Sequence, residues 1–134
     1  MSTNPRPQEF VQRERQIDHD HLAITATGTT KLFKADRKWR LDRAQLVNPT
    51  GLAADAVNFF VIELKQGAVV LATWSTEVGQ EGALVAATFV DLVLSATVAD
   101  LVLDPDQELS LVFTENGTQT LPLGRVQIEG RYIK

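Results

Sequence analysis

The sequence predicts an all-β protein, a jelly roll or β-sandwich of about eight strands. Of its 134 residues, 32 are Val, Ile or Thr, whose branched β-carbons suit a pleated sheet. Short apolar runs follow one another closely, and Gly, Pro, Asn and Asp stand between them. Several runs alternate apolar and polar residues with period two, as half-buried strands do. A small closed barrel is the alternative architecture.

The predicted strands follow one another from residue 22 to the end of the chain. The first ends at Gly28, and the next two form a basic hairpin around Asp36 and Arg37. Another hairpin is predicted at Gly67, and Asn116-Gly117 is a dipeptide typical of hairpin turns. The spans are 22–27, 31–35, 38–47, 57–65, 68–76, 85–94, 108–114 and 125–132, with either a strand or a helical turn at 99–103.

Residues 1–21 are predicted to form an extended N-terminal arm, and residues 22–134 the sandwich domain. Pro5 and Pro7 prevent a regular element, because proline lacks an N–H and fixes φ. Phe10 and Ile17 stand on one side of a possible short helix that buries too little to be stable alone. The alternative is a frayed terminus.

The composition excludes several classes of protein. With no Cys, the chain has no disulfide scaffold, no Cys-ligated zinc and no cysteine nucleophile. A net charge of -4 gives no overall attraction to nucleic acid. The apolar runs are too short for a transmembrane helix, and residues 1–7 lack the apolar core of a signal peptide. We therefore expect synthesis in a cytosol, with no membrane partner and no direct nucleic-acid partner.

No catalytic constellation stands out, so we expect neither enzymatic activity nor a cofactor. A Gly-x-Ser-x-Gly nucleophile elbow is absent, and the glycine loop at residues 79–82 has no lysine after it. His19 and His21 are the only histidines, and at i and i+2 on a strand they would point the same way. Without an identifiable third ligand they are interpreted as a polar lead-in to the first strand, not as a metal site.

Charge is distributed unevenly along the chain. Residues 31–43 hold six basic side chains, whereas residues 66–124 hold eight acidic ones and no Lys or Arg. This pattern suits docking of a basic edge on an acidic partner. Neutralisation within the fold and nucleic-acid contact with Trp39 stacking are the alternatives. The residues expected to contact a partner are Phe10, Arg13, Arg15, Ile17, Lys34, Arg37, Lys38, Arg40, Arg43 and Arg131.

Strands that are apolar on both faces also suggest contacts in an assembly. Phe59 and Phe60 are consecutive, so their rings must point to opposite faces of a sheet. At least one ring therefore lies outside the sandwich core unless something covers it. A partner subunit is one possible cover, and the arm or a long loop is the other.

The overall layout, the segments Phe33–Trp39 and Leu121–Arg125 and the regular last strand Gly124–Ile133 resemble small jelly-roll cement, or decoration, proteins of tailed-phage capsids. The resemblance implies a virion protein, made in the host cytoplasm, on the outer surface of the head. It would bridge and stabilise subunits of the major capsid protein. It would also associate with itself, as a homodimer or trimer, and need no cofactor.

A carbohydrate- or receptor-binding β-sandwich of a phage fibre or adhesin is the alternative function. In such a module Trp39 and Trp74 would be exposed platforms on which a sugar ring stacks.

Overall fold

The computed structural model describes residues 14–133 and is all-β, as predicted. Within these residues there are ten strands and a 3₁₀ turn, η1, at Val98–Leu101. No helix of the described residues is long and apolar enough to cross a membrane. The strands are β1 Glu14–His21, β2 Gly28–Lys34, β3 Trp39–Val47, β4 Phe59–Gln66, β5 Val69–Ser75, β6 Val90–Asp91, β7 Val93–Leu94, β8 Val102–Leu103, β9 Glu108–Asn116 and β10 Gly124–Tyr132.

The strands form two antiparallel sheets that pack face to face. Sheet 1 has the order β1-β10-β3-β6, and β8 also pairs with β3. Sheet 2 has the order β2-β9-β4-β5-β7. Among residues 14–133, both sheets end in strands that pair on one side only, so the described fold is an open sandwich and not a closed barrel.

The pairing is nested in the manner of a jelly roll. The β4–β5 hairpin turns at Gly67, which has φ +59°. Outside it, β3 pairs with β6 and β8, then β2 with β9, then β1 with β10. The chain is thus one long antiparallel ribbon. Rolling it up brings β3 against β10 and β4 against β9, which gives the two sheets.

The core lies between the sheets and is built from alternate residues of each strand. On β10, Val126 and Ile128 are fully buried, whereas Arg125 and Glu129 on either side of them are exposed and Gln127 between them is partly exposed. Burial of each such aliphatic side chain contributes about 1.5–3 kcal/mol. The inward alternation therefore fixes which face of sheet 1 meets solvent.

The predicted arm over residues 1–21 was wrong for its second part. Residues 14–21 form β1, which pairs with β10 along its whole length. Ile17 packs against the core and His21 is buried inside the sandwich. The polar composition of this segment concealed its alternation, because a histidine fills an inward position. The rest of the arm, residues 1–13, lies outside the described residues.

Three further local predictions were wrong, two of them because neighbouring strands belong to different sheets. The basic hairpin does not exist: β2 lies in sheet 2 and β3 in sheet 1. Asn116-Gly117 ends β9, after which the chain crosses to sheet 1 instead of turning back. The segment 22–27 is not a strand. Its one β-bridge to another described residue joins Ile24 to Leu121.

The predicted strand 85–94 is present only at its end, and there it is split between the sheets. β6 pairs with β3 in sheet 1, whereas β7 pairs with β5 in sheet 2. Between them, buried Leu92 donates its backbone N–H to Ala44 O at 2.9 Å. The helical alternative at 99–103 is realised in part, as η1 followed by β8.

Candidate partner-binding surface

The outer face of sheet 1 carries acidic or basic side chains on all of its longer strands. We call it the charged face. Its side chains alternate with those that fill the core, so every strand contributes them at every second position. They are Gln16, Asp18 and Asp20 on β1, Arg125, Gln127, Glu129 and Arg131 on β10, Arg40, Asp42, Arg43 and Gln45 on β3, and Asp91 on β6.

Ion pairs connect the four strands across this face. Arg125 Nε donates to Asp20 Oδ1 at 2.6 Å, which links β10 to β1. Arg131 Nε reaches Asp42 Oδ2 at 2.8 Å, and Arg43 Nε reaches Asp91 Oδ1 at 3.0 Å. These groups are largely exposed to solvent, so the ion pairs add little to the stability of the fold.

The Asp20–Arg125 pair also shifts the titration of both partners. The hydrogen bond from Arg125 lowers the pKa of Asp20 below its usual value of 3.8. The same bond raises the pKa of Arg125 above its usual value. Both side chains are therefore charged at neutral pH, and the pair adds no net charge to the face.

A β-bulge places Asp42 where it can meet Arg131. In the pairing of β3 with β10, Leu41 lies opposite Gly130 and Arg43 lies opposite Glu129. Asp42 is the extra residue between them, so it and Arg43 both reach the outer face. The bulge therefore gives the face an acid beside Arg131.

One end of the charged face holds three cations that form no ion pair with a described acid, next to Arg131, which pairs with Asp42. We call this end the cationic corner; it comprises Arg37, Lys38 and Arg40, with Arg131 beside them. Arg40 lies opposite Arg131 across the strand pair, and its buried Nε has no acceptor among the described residues. The Arg37 guanidinium carbon lies 4.4 Å from the centroid of the Tyr132 ring, in a cation–π contact.

The end of β10 and the residue that follows it contact the cationic corner. Lys38 O accepts a hydrogen bond from Ile133 N at 2.9 Å, which seats the β2–β3 connection against the end of β10. No ion pair joins Arg37, Lys38 or Arg40 to any described acid. No local pattern could indicate Tyr132 as the platform beneath Arg37, because the two residues are 95 positions apart.

An acidic turn lies next to the cationic corner in the fold. Asp106 N donates to Ala35 O at 2.7 Å, and Ala35 N donates to Gln107 O at 2.9 Å. These bonds bring the carboxylates of Asp104 and Asp106 to the same end of the sandwich. The alternative of neutralisation within the fold is met in part: Lys31 pairs with Glu108 and Arg43 with Asp91. Arg37, Lys38 and Arg40 form no ion pair with a described acid.

The remaining predicted contact residues are not part of the cationic corner. Lys34 lies in sheet 2, opposite Glu108. Arg43 is on the charged face but is paired with Asp91. Ile17 faces the core, and Arg15 lies on β1 opposite Gly130. Phe10 and Arg13 lie outside the described residues.

The aromatic residues do not match the sugar-binding alternative. Trp39 is fully buried and packs edge-on against Phe33, with the ring centroids 5.0 Å apart. Trp74 is half-buried and donates its Nε1–H to Gly82 O at 3.0 Å. The expectation of exposed tryptophan platforms was therefore wrong for Trp39. The prediction that Phe59 and Phe60 point to opposite faces is confirmed, since only Phe60 lies in the core.

The two histidines lie on β1 opposite residues of β10 that face the interior. His21 is buried beside Phe113, with the ring centroids 5.0 Å apart. Its Nδ1 lies 2.8 Å from Leu22 O, whereas its Nε2 has no partner among the described residues. Burial lowers the pKa of His21 below its usual value of 6.5, which favours the neutral ring. Within residues 14–133, no group of three or more His, Asp or Glu is arranged to hold a metal ion.

Comparison with known proteins adds little to this description. No family model matches the chain. No curated protein matches it in sequence. Among solved structures, the chain is similar to part of a chain in the structure of infectious bursal disease virus Gx strain, with a TM-score of 0.40 and 13% sequence identity. The similarity covers 90% of this chain and 32% of that one, so this chain spans about a third of its length.

Proposed function

We propose that this protein is a capsid cement protein of a tailed phage. In this proposal it binds the outer surface of the head, bridges subunits of the major capsid protein and stabilises the shell. The jelly-roll fold is compatible with this role but also occurs in lectins and cupins, so the fold by itself does not select it. The proposal depends instead on the chemistry of the surface of sheet 1.

The observation that carries the proposal is the cationic corner. Arg37, Lys38 and Arg40 have no acidic partner among the described residues, although elsewhere on the same face each arginine is paired. Cations beside one another repel, and the only described contact that offsets this is that of Arg37 with the Tyr132 ring. An acidic surface on a partner would provide the missing acceptors.

The rest of the charged face suits a partner that is itself a broad protein surface. The ion pairs of sheet 1 present acids and bases side by side across neighbouring strands. Such a surface makes many weak polar contacts. On a repetitive shell, with many equivalent sites, weak individual contacts are sufficient if each molecule bridges two subunits.

The first experiment asks where the protein is found. Particles from an infected lysate are purified by sedimentation, and the protein is quantified against the major capsid protein by mass spectrometry. A fixed ratio to the capsid protein is expected. Recovery of the chain only in the soluble fraction would contradict the proposal, and binding to a panel of sugars would then test the adhesin alternative.

The second experiment tests the surface. Purified protein is added back to particles from which it has been stripped, and the bound fraction is measured between about 50 mM and about 500 mM salt. Replacing Arg37, Lys38 and Arg40 together by Gln should lower affinity at least about tenfold and flatten the salt dependence. A comparison variant with Lys31 and Arg43 replaced by Gln removes two cations that are already paired with Glu108 and Asp91. A loss of affinity per removed charge as large as in the triple variant would show that only total charge matters.

The predicted contacts of Phe10 and Arg13 need a separate deletion. The cut must end at residue 13, because removing β1 would take an edge strand from sheet 1. Deletion of residues 1–13 is expected to weaken binding while the circular dichroism spectrum stays unchanged. Full binding by the folded deletion variant would exclude these residues as contacts.

A further inference from the structure

A second surface lies at the end of sheet 1 opposite the cationic corner. There β1 and β3 end and β10 begins, and the chain forms an open groove of about 450 Å³. Asp20, Arg125 and Val47 stand side by side across the three strands at its edge. The apolar side chains that line the groove are Leu22, Val47, Pro49, Phe89 and Leu123.

Three of these side chains are exposed although they are large and apolar. Leu22 is 82% exposed, Leu123 55% and Phe89 47%. Leu22 directly follows β1, Leu123 directly precedes β10, and Phe89 directly precedes β6. They therefore converge at one place, where the strand ends meet. A contiguous apolar patch of this kind marks a contact surface and is costly to leave in water.

The groove carries no net charge. Asp20 and Arg125 at its rim form a two-bond ion pair, with Arg125 Nε 2.6 Å from Oδ1 and an outer guanidinium nitrogen 3.3 Å from Oδ2. The other lining residues, His21 and Gly124, are buried. Asp20 and Arg125 thus lie at the edge of an apolar groove. Leu22, which is largely exposed, lies beside them.

We propose that a second copy of this chain covers the groove, in a two-fold symmetric dimer in which Leu22 of each copy enters the groove of the other. A two-fold interface uses the same patch on both subunits, so the patch must be complementary to itself. This patch holds both a protruding apolar side chain and a hollow that fits one. It also presents Asp20 and Arg125 together, so each carboxylate can meet the guanidinium of the facing copy.

The cationic corner meets this requirement less well than the groove does. Two facing copies would bring Arg37, Lys38 and Arg40 against the same cations, with no described acid paired to them. The two ends of sheet 1 therefore have separate partners: an acidic surface at one end and a second copy at the other. The dimer does not depend on the proposed capsid role, because it uses none of the residues of the cationic corner.

The test is the oligomeric state of the full chain in solution, measured by sedimentation velocity over a range of concentrations. The wild-type protein should be a dimer. Leu22→Asp should raise the dimer dissociation constant at least about tenfold, because a carboxylate would enter an apolar hollow. Val98→Asp changes an exposed valine of η1 outside the groove and should leave the dimer intact. Circular dichroism verifies that both variants are folded.

Charge reversal provides a second, independent test. Arg125→Asp places two acids at each rim and should dissociate the dimer. Adding Asp20→Arg to this variant restores an acid and a base, so the double variant should dimerise again. A wild-type monomer at all concentrations, a trimer, or a dimer that survives Leu22→Asp would each overturn the proposal. A wild-type monomer whose groove binds an apolar dye, with binding lost in Leu22→Asp, would assign the groove to a small apolar ligand instead.

Discussion

Trp39 packs directly on Gly130, across the pairing of β3 with β10, so that a β-carbon on Gly130 would overlap the indole ring. The absence of a side chain at this inward position of β10 makes room for the largest buried residue of the core. The contact lies beside the bulge that brings Asp42 to the charged face. The packing inside sheet 1 and the ion pair outside it therefore depend on the same few residues.

Gly130→Ala is expected to destabilise the protein by about 1–3 kcal/mol, because the added methyl group must displace Trp39 or the backbone of Arg40. The measurement is urea unfolding followed by circular dichroism. Gly28→Ala is the matched control, since a β-carbon there meets no atom within 4 Å. It should change stability by no more than about 0.5 kcal/mol. Equal effects of the two substitutions would contradict this account of Gly130.

Arg40→Met is expected to leave stability unchanged or raise it by up to about 1 kcal/mol. The substitution removes a buried Nε–H without an acceptor and a cation opposite Arg131, while the apolar stem is kept. Arg43→Met loses the pair with Asp91 instead and should be neutral or slightly destabilising. Urea unfolding of both variants gives the comparison. A clear loss of stability in Arg40→Met would mean that this arginine serves the fold and not a partner.

The stability of the protein should fall as the pH is lowered below about 6.5, in part because of His21. Its pKa is lowered in the folded state, chiefly by burial, so below the usual value of 6.5 the unfolded chain binds a proton that the folded chain does not. The stabilisation that the neutral ring provides is fully present above pH 6.5. It is lost as the pH falls from 6.5 to the lower pKa that His21 has in the folded state. His19 and Asp20 are the nearest charged neighbours.

His21→Phe keeps an aromatic ring beside Phe113 and cannot titrate, so it should reduce this pH dependence. The free energy of unfolding is measured in urea at several values between about pH 5 and pH 7.5. His19→Gln removes the other histidine of β1 and should preserve most of the dependence. An unchanged slope in His21→Phe would assign the effect to other groups.

The tryptophan environments can be measured without a partner. In Trp74→Phe the remaining fluorescence comes from Trp39, which is fully buried, so acrylamide should quench it far less than free tryptophan. The wild-type protein, in which half-buried Trp74 also contributes, should be quenched more strongly. Strong quenching of Trp39 in the folded variant would revive the sugar-binding alternative.

Much of the fold could be predicted from local pattern alone. Alternation with period two identified the all-β class, the β4–β5 hairpin and the inward face of β10, since side chains on a strand must alternate between faces. The same rule placed Phe59 and Phe60 on opposite faces. It failed for β1, where Ile17, His19 and His21 take the inward positions and two of the three are polar.

The candidate site was decided by contacts between distant parts of the chain. Charge composition pointed to the basic residues between Lys31 and Arg43, but pattern cannot tell a hairpin from a crossing between sheets. Only the tertiary structure shows that Lys34 and Arg40 lie in different sheets. It also places Arg131 opposite Arg40 in the pairing of β10 with β3. The ion pair of Asp20 with Arg125 spans 105 positions. Local sequence determines which way a side chain points on its strand, whereas closure of the two sheets determines which side chains meet.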